Sequence, residues 1–240
     1  MTPFAALLSV TLRGLMGRRR LFLMLVLAAI PVVLGALVQL RGGRADVERV
    51  LAILVVQTVM PLVALILGTA SLGSDIEDGT AVYLLTKPIR RWLVALAKIA
   101  VAVGVTALLV VPVTILTGVL VGGLRPEPMT TTVAFAVACL AGGAAYASVF
   151  VALSTMTGRA LIIGLAYVLI WEGALGELLE GTRFLSIRQA TLGIVGGLGG
   201  EVSGEPLQVG VAAVVLTVAI LASVLLTSWR LARFEVHAGD

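Results

Sequence analysis

The sequence predicts an all-α integral membrane protein built from six transmembrane helices. Sixty per cent of its 240 residues are hydrophobic and 12% are charged. Mean hydropathy is +1.13, which implies more apolar surface than a soluble domain of this size can hide. Apolar runs long enough to cross the ~30 Å hydrocarbon core of a bilayer, at ~20 residues per helix, recur along the chain. Lysine and arginine gather beside those runs and form no continuous patch. The sequence pI of about 9.8 therefore argues for a membrane setting and against a nucleic-acid partner.

Phe4, Leu7, Leu8, Leu12, Leu15 and Met16 share one helical face, with Ser9, Arg13 and Gly17 largely away from it. This stretch is too short and too polar to span. Residues 1–20 read as an N-terminal interfacial amphipathic helix closed by Arg18, Arg19 and Arg20. The first span follows, Leu21 to Leu40, and its 20 residues exceed the ~7–15 of a signal-peptide core. The later spans run from about Val50 to Gly73, Trp92 to Gly123, Thr132 to Met156, Ala160 to Leu175 and Val209 to Trp229. Residues 124–129 and the turn Thr157-Gly158-Arg159 are short links, whereas residues 176–208 are long, glycine-rich and partly apolar. In that link Ser186 and Gln189 have capping-box spacing. Ile187, Ala190, Ile194, Val195 and Leu198 follow at roughly helical spacing, and Gly196 to Gly200 make a turn. The expectation is short outer re-entrant helices before the last span, with a plain surface-lying loop as the alternative. Gly118-x-x-x-Gly122 and Gly193-x-x-x-Gly197 permit close helix packing. Residues 1–240 form a single transmembrane domain.

Orientation follows from the basic residues. Arg13, Arg18, Arg19, Arg20, Lys87, Arg90, Arg91, Lys98, Arg159, Arg230 and Arg233 fall on one side; Arg41, Arg44, Arg49, Arg125, Arg183 and Arg188 fall on the other. The positive-inside rule places the first, larger set in the cytoplasm, so both termini are expected there. Glu177, Glu180, Glu201 and Glu205 all fall outside.

Residues 74–91 are then a polar cytoplasmic loop between two of the most apolar stretches. Ser74 or Asp75 caps a helix whose first turn carries Glu77 and Asp78, suiting the free N–H groups and the positive dipole end. Gly79 allows a kink or a close backbone approach. Ala81, Val82, Leu84 and Leu85 supply an apolar patch, and Pro88 ends the element by disfavouring helical geometry at Lys87. A short amphipathic helix followed by a basic cluster results.

The order acid, Gly-Thr, Leu-Leu-Thr-x-Pro-Ile, Arg-Arg and then a lysine resembles the first cytoplasmic loop of type-2 ATP-binding-cassette (ABC) exporter permeases. The residues that carry it are Glu77, Gly79, Thr80, Leu84, Leu85, Thr86, Pro88, Ile89, Arg91 and Lys98. "YVLIWEG" (Tyr167 to Gly173) and "FLSIRQ" (Phe184 to Gln189) are similar to the same family's fifth span and outer helices. The resemblance implies an export permease in a bacterial cell membrane, working as a homodimer or paired permease. Each copy would engage one of two cytoplasmic ABC ATPase subunits. The loop would be the coupling helix, with Asp75, Glu77, Asp78, Gly79, Thr80, Leu84, Leu85, Lys87, Pro88, Arg90 and Arg91 at the ATPase interface. ATP and Mg²⁺ would sit on that ATPase. This chain has only Lys87 and Lys98, and neither belongs to a phosphate-binding glycine-rich loop.

Gln57 with Pro61 in the second span, and Thr114 and Thr117 beyond Pro112 in the third, are candidates for lining a path. Helix–helix hydrogen bonding and kink repair explain each more simply. Glu172, near the outer end of the fifth span, is costly in lipid, so it is expected to face water, a partner group or a subunit interface. Trp171 beside it suits the headgroup zone. An intramembrane hydrolase finds little support: the one histidine, His237, lies in the polar tail, Ser148 and Ser154 have no evident base, and no catalytic or metal constellation assembles. The single Cys139 excludes an intramolecular disulfide and reads as a small buried hydrophobe. A stand-alone channel or secondary carrier, and a non-transporting anchor or regulator of an ATPase, remain as alternatives. Substrate identity is beyond the sequence.

Overall fold

A computed structural model describes residues 11, 17–40, 46–77, 91–175 and 184–233. Among these every regular element is helical, as expected where lipid offers the backbone no hydrogen-bond partner. In chain order they are α1 (Arg18–Leu40), α2 (Val47–Val50), a π-helical segment π1 (Leu51–Val59), α3 (Met60–Glu77), α4 (Arg91–Gly122), α5 (Pro126–Met156), α6 (Ala160–Ala166), a second π-helical segment π2 (Tyr167–Leu175), α7 (Ile187–Gly197) and α8 (Val209–Arg233). Five stretches are long and apolar enough to cross a membrane: Arg20–Leu40, Val47–Ser71, Trp92–Gly122, Pro126–Met156 and Val209–Arg233. The protein is a multi-pass membrane protein. The expected fifth span is represented by the shorter apolar helix Ala160–Gly173. Nearly all of the interfacial helix expected over residues 1–20 lies outside the described residues.

α5 is the hub, in contact with α3, α4, α6, α7 and α8. About two thirds of its apolar window is buried, against 22% for α1 and 17% for α8, which lie at the rim. Phe135, Tyr146 and Phe150 of α5, with Met60 and Leu67 of α3, are among the largest fully buried side chains. At one end of the bundle lie Asp46, Gly123 and Gly200; at the other lie Ser71, Thr157 and Arg233, whose guanidinium stacks 4.0 Å from the Trp229 ring. These are called here the Glu48 end and the Lys98 end.

Both π segments have a local cause or consequence. Pro61 has no N–H, and in an α-helix its ring would clash with the carbonyl of Gln57. The wider turns of π1 relieve that clash: Met60 N–H bonds the Val55 carbonyl, and the Thr58 hydroxyl donates to the Ile53 carbonyl at 2.9 Å. In π2 the five-residue repeat brings Tyr167 over Glu172, two residues that an α-helix would hold on different faces.

Glycines set the closest approaches and fix the relative heights of the helices. A Cβ on Gly118 would collide with Thr132 across the α4–α5 contact, and one on Gly142 would collide with the Thr191 hydroxyl of α7. Gly193 and Gly197 abut Leu207, Val209 and Ala212, so both small-residue pairs noted in the sequence are packing contacts. Gly200 meets Ala134, Thr191 meets Gly142, and Gly164 meets Phe150. Hence α6 rises along α5 from the Lys98 end, while α7 begins near mid-height of α5 and runs to the Glu48 end. α7 is capped as the sequence suggests: the Gln189 N–H donates to Ser186 Oγ at 3.1 Å. It closes with the Gly200 N–H on the Val195 carbonyl at 3.0 Å after Gly199 at φ +80°.

Gly142→Ala is predicted to lower stability by about 1–3 kcal/mol, read as a lower thermal midpoint in detergent. Thr191→Ala should restore most of the loss, because the blocking hydroxyl is then gone. Gly104→Ala, where a Cβ meets nothing within 4 Å, should show no loss.

Candidate functional site: a carboxylate at the heart of the bundle

Glu172 is 2% exposed and sits at the most elaborate polar cluster among the described residues. π2 turns it inward, and three donors converge on its carboxylate. They are the Tyr167 hydroxyl at 3.0 Å, the Ser186 hydroxyl at 2.5 Å and the Ile187 backbone N–H at 3.0 Å. Arg188 Nη1 donates to the Glu172 backbone carbonyl at 3.2 Å. Ser186 and Ile187 open α7, so a side chain from another segment supplies the anion that a helix N-terminus favours. Ser186 Oγ links the two caps, donating to Glu172 while accepting from the Gln189 N–H. Tyr146, fully buried and stacked 5.9 Å from Phe150, is within electrostatic reach of Glu172, Tyr167 and Arg188. Its hydroxyl makes no well-aligned hydrogen bond among the described residues.

By sequence Glu172 stands three residues from the end of its apolar run. The structure does not carry that end to the Glu48 surface. Glu172 lies level with Tyr146, below the Thr191–Gly142 contact and close to mid-height of α5. A partner group, the α7 N-terminus, answers its burial.

Two further buried charges hold the opposite ends of the bundle. At one end, Glu48 is 5% exposed and accepts from the Ser203 N–H at 3.0 Å and the Ser203 hydroxyl at 2.8 Å. Its own N–H donates to the Asp46 cap at 3.1 Å. This pins the segment before α8 to the start of the second membrane helix, assisted by the Glu201 N–H on Thr131 at 3.3 Å. At the other end Lys98, also 5% exposed, donates from Nζ to the Ser71 carbonyl at 2.7 Å, joining α4 to α3.

The remaining sequence-selected residues are dispersed. Asp75 and Glu77 lie in the last turns of α3, and Arg91 opens α4. Asp78, Gly79, Thr80, Leu84, Leu85, Lys87, Pro88 and Arg90 lie outside the described residues, as does His237. Gln57 is half-buried in π1, beside the exposed Ile53 and Thr58. Thr114 and Thr117 are fully buried between helices; the Thr114 hydroxyl donates to Val110 at 2.8 Å, and Thr117 faces Gly35 of α1. Ser148 and Ser154 each donate to a carbonyl of their own helix at 2.7 Å. Among the described residues no three His, Cys, Asp or Glu side chains gather as for a metal ion.

Glu48, Tyr146, Tyr167 and Ser203 escaped the sequence reading. Asp46-Val47-Glu48 carries a helix-start signal that could have flagged Glu48. Nothing in a 3.6-residue period pairs Tyr167 with Glu172. No protein-family model matches the chain, and no curated protein matches it.

Removing either side of the Glu48–Ser203 tie is predicted to be non-additive. Glu48→Gln and Ser203→Ala should each lower stability by about 1–3 kcal/mol, and the double variant by little more than the worse single one. Glu127→Gln, an exposed carboxylate at the same end, should leave the thermal midpoint unchanged.

Proposed function

We propose that this chain is the permease subunit of an ATP-driven ABC-type exporter. Two copies pair around a path, and each engages a separate ATPase through residues 74–91. The Lys98 end faces the cytoplasm and the chain makes six crossings, with both termini inside. The reading rests on the loop motif described above. What supports it in the structure is the clamp at the loop's base, where the Lys98 ammonium holds the Ser71 carbonyl at 2.7 Å in a buried setting. The helices that bracket the loop are thereby fastened to each other before they enter the bundle. A push on the loop moves α3 and α4 together, and both pack on α5. That is the mechanical property a coupling element needs.

Affinity for the ATPase comes mainly from Leu84 and Leu85. Burying a leucine contributes roughly 1.5–3 kcal/mol, whereas exposed pairs such as those open to Glu77, Asp78, Arg90 and Arg91 contribute about 1 kcal/mol or less. Gln57, half-buried among apolar neighbours, is expensive against lipid and marks the face that meets the path or the second copy.

The experiment is co-purification in mild detergent with a co-expressed ABC ATPase subunit. The unaltered permease should retain the ATPase. Replacing Leu84, Leu85, Arg90 and Arg91 together by alanine should weaken recruitment by about 100-fold or more and abolish transport-linked ATP hydrolysis. Undiminished recruitment by that variant would remove the loop from the coupling role.

A further inference from the structure

The elements α6, π2 and α7 make an unusual set. α6 and π2 rise from the Lys98 end but reach at most ~24 Å over their 16 residues, and the 11 residues of α7 cover ~17 Å. Neither crosses a ~30 Å core alone. Laid end to end along α5, with α7 starting where Glu172 sits, they span it. The count of ends requires this. α1 starts and α8 finishes at the Lys98 end, and five full-length helices leave one return crossing to be supplied.

The two halves are held very differently. α7 is wedged: Ala190, Thr191 and Val195 are fully buried, Gly142 lies against it from α5, and Gly193 and Gly197 lie against α8 and the chain entering it. The other half touches the bundle along a narrow seam, Ala160, Gly164, Val168 and Glu172, at every fourth position, flanked by Tyr167, whose ring lies edge-on to Phe150. Leu161, Ile162, Leu165, Leu169 and Ile170 point away from the bundle. Beside it runs an apolar groove of about 290 Å³ between α5, α6 and α8, lined by Leu153, Met156, Ile163, Tyr167, Ser223 and Leu226. The half-helix has room to tilt there.

We propose that α6, π2 and α7 together form one broken crossing, with α7 as its fixed half, α6–π2 as its movable half and Glu172 as the joint between them. In the closed joint the carboxylate holds Ser186 and Ile187. When the half-helix tilts, those contacts break, and the carboxylate passes to the Tyr146 hydroxyl, which lies close by and makes no well-aligned hydrogen bond in the closed state. Glu172 is a positioning residue in this scheme, and Tyr146 is its second partner. The inference concerns this chain alone and does not rest on the export reading.

The test uses the full chain in lipid nanodiscs, without any ATPase, with Cys139→Ala and nitroxide labels at Ile170→Cys and Leu198→Cys. Double electron–electron resonance then reads the distance between the two halves. The joint predicts a main distance and a minor second one. Ser186→Ala, which removes one charge-assisted hydrogen bond from the closed state only, should enrich the second distance about tenfold. Glu172→Ala should broaden the distribution. Tyr146→Phe, which removes the open-state partner, should deplete the second distance. A purely structural cap predicts no opposite effects. One unchanged distance in the Ser186→Ala and Tyr146→Phe variants overturns the proposal, whether or not Glu172→Ala folds.

Discussion

Everything distinctive in this molecule follows from one constraint: a helix end inside an apolar bundle has no water to satisfy it. α7 begins near mid-height of α5, and its first N–H groups must find an acceptor there. Glu172 supplies it from another segment, through Ile187 N–H and Ser186 Oγ. The requirement propagates outward. π2 must be wound with five-residue turns so that Tyr167 also reaches the carboxylate. Residue 142 must be glycine for α7 to lie close enough on α5, and Ser186 must serve two partners at once. Breaking a buried charge from its donors is far more damaging than never having had it, so these residues form a unit.

The two outer ties give the bundle a fixed frame around that unit. Glu48 fastens the chain before α8 to the start of the second membrane helix, and Lys98 fastens α4 to α3 at the opposite end. Each satisfies a buried charge with partners from a different element. Between the ties most of α5 is buried, whereas α6 and π2 meet the bundle through the Ala160-Gly164-Val168-Glu172 seam and the Tyr167 ring, which lies edge-on to Phe150. Burial is therefore unevenly distributed, and the short half-helix α6–π2 ends on the most polar contact.

Long apolar runs were legible from the sequence because length and composition alone fix them. α1, α4 and α8 match the expected spans within a few residues. The fourth helix starts earlier, at Pro126, because a proline suits the first turn of a helix. The Ser186–Gln189 cap was legible too, since it is local. What escaped depended on geometry that a regular period cannot encode. The π segments shift the facing of residues 51–59 and 167–175, so Gln57 and Glu172 could not be assigned a side. Glu48 finds Ser203 across 155 positions of chain, a pairing visible only in three dimensions. The depth of Glu172 was hidden because its apolar run is long enough to suggest a complete crossing, whereas Glu172 lies near mid-height of α5, where α7 begins. The polar loop that carries the family resemblance is legible only as sequence, since residues 78–90 lie outside the described structure.

The central claim is that α7 starts deep in the membrane, where Glu172 caps it. Phe184 and Leu185, just before that start, are 55% and 67% exposed, which suits lipid tails and not water. A nitroxide at Leu185→Cys, with Cys139→Ala, reports its depth directly through collision with oxygen versus a water-soluble nickel chelate. The account predicts a label more than about 10 Å below the headgroup boundary of a ~30 Å core, reached by oxygen and shielded from nickel. A label at headgroup depth, open to the nickel chelate, would contradict it.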